Sequence, residues 1–242
     1  MLPKLVSLEL ERWFWERQET NNAIREYGHR WEGLHMRIAK VLTQGRRWSD
    51  LPNLKELDCA QLSRRPQYDE PIPISLEVLN INGNRPETLR GSPGSRLKFL
   101  RVVGSPETLS DIGDFPELQH LHIFRGLECQ PLLPSSAFSA FSHLAHLRSL
   151  SLALWSVGDP TLTSTLPGLL AHLPHSLDRL DFPERTPIEI LSAYFKLEIS
   201  PPFRFLRYSL WKYQDKTEKH CSIAQLGNLA WSKGVRIECI KR

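Results

Sequence analysis

One six-residue template, apolar-x-x-apolar-x-apolar, recurs along this chain often enough to constrain its architecture. It reads LVSLEL from Leu5, LKELDC from Leu54, LEVLNI from Leu76, LKFLRV from Leu97, LQHLHI from Leu118, LRSLSL from Leu147 and LDRLDF from Leu177. FRFLRY from Phe203 fits with aromatics substituted, while WEGLHM from Trp31 and SKGVRI from Ser232 fit loosely. Successive starts lie 21 to 30 residues apart. A single match is common because Leu is abundant, but a near-regular series is a repeat. In a short strand alternate side chains point to opposite faces, so the fourth and sixth positions of every unit point together into an interior. One unit cannot bury that face alone, and stacked neighbours must cover it. A β-sandwich also spaces strands regularly, but it does not repeat one apolar template.

The connectors divide the chain in two. From Leu54 to Leu118 they are short and rich in Pro and Gly, as in RPQYDEPIP and GNRPETLRGSPGS. Loops or single 3₁₀ turns are expected there. Beyond Leu118 the units lengthen. Thr186-Pro187-Ile188-Glu189 combines a capping box with Pro at the first helical position, ahead of IEILSAYF. Ser222 precedes IAQLGNLAWSK, with Gly234 at the stop position, and Ser135 or Ser136 opens a further helix through AFSAFSHL. A short helix is also expected from Asn21 or Asn22 to Tyr27, closed by Gly28.

These units resemble the leucine-rich-repeat family. LPNLKELDC, FPELQHLHI, LPHSLDRLDF and LAWSKGVRIECI look most like the repeat regions of fungal F-box proteins. The resemblance implies an α/β fold: a right-handed leucine-rich-repeat solenoid, or horseshoe, with a parallel sheet on its concave face. Loops and 3₁₀ turns back the first half and α-helices the second. It further implies one domain over residues 1–242, built of about nine to ten degenerate repeats. In that family the repeats recruit a substrate to a ubiquitin ligase and a separate F-box docks on the adaptor. Here the first repeat starts five residues into the sequence, so no F-box is expected. The alternative is the C-terminal part of a larger receptor, or a first repeat covered by self-association or by a missing N-terminal cap. The ninth-position Asn of the family occurs only as Asn84; Trp13, Trp155 and Trp211 hold that place in three other units, where an indole N–H can bond a loop carbonyl. Trp13-Phe14-Trp15 is expected to pack beneath an outer loop.

Positions three, five and seven of each unit face away from the core, onto the surface where that family binds its partners. Along it the first units carry Glu9, Glu56 and Asp58, and the later ones Arg179, Arg207 and Arg236. The adjacent units at Leu97 and Leu118 set Phe99, Arg101, His120, His122 and Phe124 side by side. Aromatic residues beside Arg are the usual material of protein–protein hot spots, so these five form the expected partner-binding site.

Other chemistry finds little support. His120 and His122 have a spacing that can chelate, but no third ligand stands near them in the sequence and zinc normally takes three or four. They are read as solvated or interface histidines, and His143, His146, His172 and His175 as polar helix edge. The four cysteines (Cys59, Cys129, Cys221, Cys239) form no CxxC pair, and Cys59 is expected to point inward. That usage suits a reducing compartment, cytoplasm or nucleus. No GxSxG, HExxH, GxGxxG or Walker A pattern occurs, and GSPGSRLK at 91–98 lacks the GK[ST] of a phosphate loop. A formal charge of +4 over 242 residues, with only GRRW and Arg64-Arg65 as tight basic pairs, argues against nucleic acid. No apolar run approaches bilayer length. The expected function is therefore a non-catalytic protein-interaction module without cofactor or metal. An enzyme whose residues meet only in three dimensions is the rival of another class.

Overall fold

The computed structural model describes residues 7–10, 33–36, 52–59, 71–81, 89–103, 112–124, 135–153, 162–182, 188–198, 201–210 and 216–241. The expected helix at 21–27, the ninth-position Trp and Asn residues, Trp13-Phe14-Trp15, the basic pairs and the Cys59 side chain lie outside them.

Ten strands form one sheet: β1 Ser7–Leu10, β2 Gly33–Met36, β3 Glu56–Cys59, β4 Val78–Ile81, β5 Phe99–Val103, β6 His120–Phe124, β7 Ser149–Ala153, β8 Arg179–Phe182, β9 Phe205–Leu210 and β10 Arg236–Lys241. Their order in the sheet is their order in the chain, and every neighbouring pair is parallel. The fold is thus α/β, with a single open, all-parallel, repeat-like sheet. β1 to β9 each start at the third position of their template. The last unit is corrected by two residues. Ile237 pairs with Leu206 and Cys239 with Tyr208, so the unit starts at Gly234 rather than Ser232. An even shift leaves every side chain on the same face, so Arg236 and Glu238 still face outward.

A backbone signature marks the units independently of their side chains. The carbonyl at position two accepts N–H groups from positions two and three of the next unit. Glu77 and Val78 donate to Lys55, Lys98 and Phe99 to Glu77, and Gln119 and His120 to Lys98. The pattern continues through Gln119, Arg148 and Asp178, and at Arg204 one bond remains, all at 2.7–3.0 Å. A tight turn leads into the strands: Leu76, Leu118, Leu147 and Leu177 each donate to the carbonyl three residues back, at 3.1 Å. Pro116 presets such a turn by fixing φ. The hydroxyl of Ser75 donates to the carbonyl of Leu54 and that of Ser176 to Leu147, both at 2.9 Å, tying each turn to the unit before it.

Leu57, Leu79, Leu100, Leu121, Leu150, Leu180 and Leu206 fill position four, and Ile81, Val102, Ile123, Leu152, Phe182 and Tyr208 position six. They form one apolar cluster running from Leu54 to Val235. Each fully buried Leu of this kind contributes about 1.5–3 kcal/mol. The cluster is closed by an outer row: 3₁₀ segments Ile112–Asp114 and Ser135–His143, then α1 Leu162–Ala171, α2 Ile188–Lys196 and α3 Lys216–Ser232, each in contact with the next.

This row departs from expectation in three places. Ser135–His143 is 3₁₀, not α. Its buried residues Phe138 and Phe141 stand three apart, and the spacing runs on through Leu144 and Leu147 beyond its end; three is the period of a 3₁₀ helix. The rings of Phe138 and Phe141 stack at 6.0 Å. Second, α1 was hidden by Pro167-Gly168, a breaker pair inside a helix that buries Leu169 and Leu170 in the core. Third, α3 begins at Lys216, six residues before Ser222. It ends as expected: Gly234, at φ 76, takes the left-handed turn, while Gly234 donates to Trp231 and Val235 to Ala230, both at 2.9 Å. In the tight connector before β5, a Cβ on Gly91 would meet the Asp114 carbonyl oxygen at 2.5 Å, so consecutive units touch there backbone to backbone.

Candidate functional site

On the sheet face turned away from the core, same-numbered positions of consecutive units stack as columns about 4.8 Å apart. Position five reads Asp58, Asn80, Arg101, His122, Ser151, Asp181, Arg207 and Glu238 from β3 to β10. Position three carries Phe99 beside His120, and position seven places Val103 beside Phe124. The five expected site residues therefore do share one face of two neighbouring strands.

Their contacts tie them into a patch. The Phe99 ring lies 6.4 Å from His120, and His122 meets Phe124 edge-on at 6.2 Å. The Arg101 guanidinium leans over the Phe124 ring, 5.4 Å from its centroid, a cation–π geometry that also shields the charge. All but His120 are partly buried. Burial, with the Arg101 charge adding to it, holds the His122 imidazole below its ordinary range, so it is neutral at pH 7. Arg101 makes no ion pair with any described residue. Its Nε is shut off from solvent without an acceptor, and the Asn80 Oδ1 on the next rung is likewise buried without a donor. Asn80 is the residue that reasoning from sequence left out of the site. It was legible as a face position, but its unsatisfied oxygen was not.

The same face is arranged differently toward β10. Arg179 Nε donates to Asp181 Oδ1 at 2.8 Å. Arg179 and Arg207 both approach Glu238 Oε2, at 3.6 and 3.4 Å. Burial nevertheless raises the Asp181 carboxyl above its usual range, against the lowering by Arg179 and Arg207. Phe205, at position three, is 47 % exposed.

Catalytic geometry is sparse. Ser151 occupies the rung beside His122, but among the described residues no hydrogen bond joins them and no carboxylate orients the imidazole, which a nucleophile–base pair needs. Burial raises the Cys239 thiol, disfavouring its thiolate, and pushes the Tyr194 hydroxyl up to about 12. Among the described residues no three His, Cys, Asp or Glu gather where they could hold a metal ion, and no helix is long and apolar enough to cross a membrane. His143, His146 and His175 are exposed and His172 partly so, at turn and helix edges. No protein-family model and no curated protein matches the chain.

Proposed function

We propose that this chain is a leucine-rich-repeat-type solenoid acting as a non-catalytic protein-binding module, its partner seated on the outward face of β4 to β6. The reading extends to a substrate-recognition role of the kind F-box proteins give their repeats. One observation carries it: a guanidinium on an open sheet face with no described carboxylate beside it and a donor already stripped of water. An unsatisfied buried donor costs about 1–3 kcal/mol, and a partner that supplies the acceptor recovers that cost on binding. The flanking rings of Phe99 and Phe124 supply the apolar area that surrounds such an anchor in protein interfaces. The repeated template and the hydrogen-bond signature of the units support the repeat family.

The test is affinity capture with the intact chain. Arg101→Ala combined with Phe124→Ala is expected to lose a specific co-purifying protein, while circular dichroism and the thermal midpoint stay those of the unsubstituted chain. A set of captured proteins unchanged by the double substitution removes the site.

A further inference from the structure

We infer that the segment seated on β4 to β6 is an acidic peptide, carrying Asp or Glu within two positions of an apolar residue, with its carboxylate set over Arg101. The inference rests on the binding role proposed above and names the chemistry of the partner.

The position-five column supplies the argument. Arg207 has a carboxylate close by in Glu238, and Arg179, on the neighbouring column, has Asp181. Arg101 stands between Asn80 and His122, and neither is an anion. The nearest carboxylates of its column are Asp58, two strands away, and Asp181, three strands away, or about 10 and 14 Å at the spacing of strands. A neutral acceptor satisfies Nε, but a carboxylate also compensates the charge and makes the stronger bond. Asn80 fits the same guest. Its amide oxygen and nitrogen exchange places by a half-turn of the side chain, which points an N–H donor where the unsatisfied Oδ1 now lies. Phe99, two positions before Arg101 on its own strand, and Phe124, under its guanidinium, remain partly exposed. They border the charge with apolar surface on two sides.

A nucleic acid fits less well. A phosphate backbone is held by a row of cations, and among the described residues the next cations along the face, Arg179 and Arg207, are engaged by Asp181 and Glu238. His122 adds a second signature. Among the described residues the charged or titratable groups facing it are Arg101 from β5 and His120 on its own strand, while β7 presents Ser149 and Ser151. A carboxylate arriving over Arg101 offsets the positive field, so binding draws a proton onto the imidazole.

The intact chain is used to select a random-sequence peptide library displayed on phage, and enriched peptides are synthesised and titrated by fluorescence anisotropy. The enriched peptides are expected to carry Asp or Glu next to apolar residues. Replacing that acid by its amide, or Arg101→Gln in the chain, weakens binding about tenfold or more, and combining the two adds little. Arg101→Lys, which keeps the charge but loses Nε, is expected to fall between. Binding tightens from pH 7.5 to 6, and His122→Gln removes that dependence. Peptides that need Phe124 but show no acidic preference overturn the inference and leave the docking face standing. Peptides indifferent to both Arg101→Gln and Phe124→Ala, or no enrichment at all, overturn the inference and the site together. A single-stranded oligonucleotide that competes as well as the acidic peptides overturns it in favour of nucleic acid.

Discussion

The outward face of the sheet holds two patches built to the same register with opposite internal chemistry. Around β8 to β10, Arg179, Arg207, Asp181 and Glu238 compensate one another's charge in ion pairs, while the Arg207 Nε, 3.4 Å from Glu238 Oε2, is buried without a hydrogen bond. Around β4 to β6, Arg101 is flanked by an amide, an imidazole and two phenyl rings, and two buried polar atoms lack partners. The backbone scaffold is common to both, since every rung repeats the same parallel pairing. The difference lies only in which side chains occupy equivalent positions. A patch that neutralises itself has little to gain from a visitor. Both patches hold a desolvated guanidinium donor, on Arg101 and on Arg207, but the patch that also leaves its charge uncompensated is the one that gains on binding. Repeat proteins separate structure from recognition in this way, because core positions and face positions alternate along each strand.

The sharpest way to break the comparison is to make the central patch resemble the other one. Asn80→Asp places a carboxylate on the rung next to Arg101. Peptide affinity is expected to fall at least tenfold, about 1.4 kcal/mol or more, as far as removing Arg101 does. The His122 titration followed by NMR moves up toward its ordinary value, because the new carboxylate offsets Arg101; burial, the larger cause of its depression, keeps it from returning fully. Undiminished affinity in Asn80→Asp means that the missing carboxylate is not what the partner exploits.

A smaller effect separates the two arginines by stability. Arg179→Ala removes the donor 2.8 Å from Asp181 Oδ1 and leaves a carboxylate whose side chain is 17 % exposed. The expected loss is about 1 kcal/mol, the low end of the ~1–3 kcal/mol for a stranded buried group, because Arg179 is itself 37 % exposed. Arg101→Ala breaks no ion pair with a described residue and removes an unsatisfied donor, so it stays within about 0.5 kcal/mol. Urea unfolding midpoints of the two variants check the ranking, and equal losses erase the distinction between the patches.

The strands and the face were legible because both follow from one period. Alternation along a strand fixes the face, and the template at positions one, four and six fixes where the strand starts. The last unit slipped because Gly234 stands where an apolar residue opens the others, and Val235 then looked like position four. The outer row was less legible. A spacing of three through Phe138, Phe141, Leu144 and Leu147 is easily taken for helical spacing, although it runs equally through Ile112, Phe115, Leu118 and Leu121, where the chain passes from a 3₁₀ turn into a strand. Pro167-Gly168 concealed α1 because local breaker signals ignore the packing that overrides them. At the site, membership of Phe99, Arg101, His120, His122 and Phe124 came from register alone. Which arginine finds a carboxylate did not. That depends on how far long side chains reach across rungs, as Arg179 does to Glu238 over two strands.

The smallest expected effect is a pair of pH dependences of opposite sign. His122 has its folded-state pKa below the ordinary 6.5. The unfolded chain therefore takes up this proton more readily, and His122 contributes stability that is present above pH 6.5 and is lost as pH falls through the folded value. Asp181 has its folded-state pKa above the ordinary 3.8. The folded chain takes up that proton more readily, so Asp181 favours the folded state below pH 3.8 and loses that contribution as pH rises through its folded value. Relative to His122→Gln, the unsubstituted chain should lose stability on acidification from pH 7 to 5. Relative to Asp181→Asn, it should gain stability on acidification from pH 6 toward 3.8. Each difference is expected to stay below about 1 kcal/mol, since both groups keep some contact with solvent. Unfolding free energies measured across that range are the check. Slopes of the same sign refute the assignment of burial as the leading cause in both patches. Opposite slopes that persist in Arg101→Ala with only the His122 slope reduced locate the second cause in Arg101, and with it the charge that the central patch leaves open.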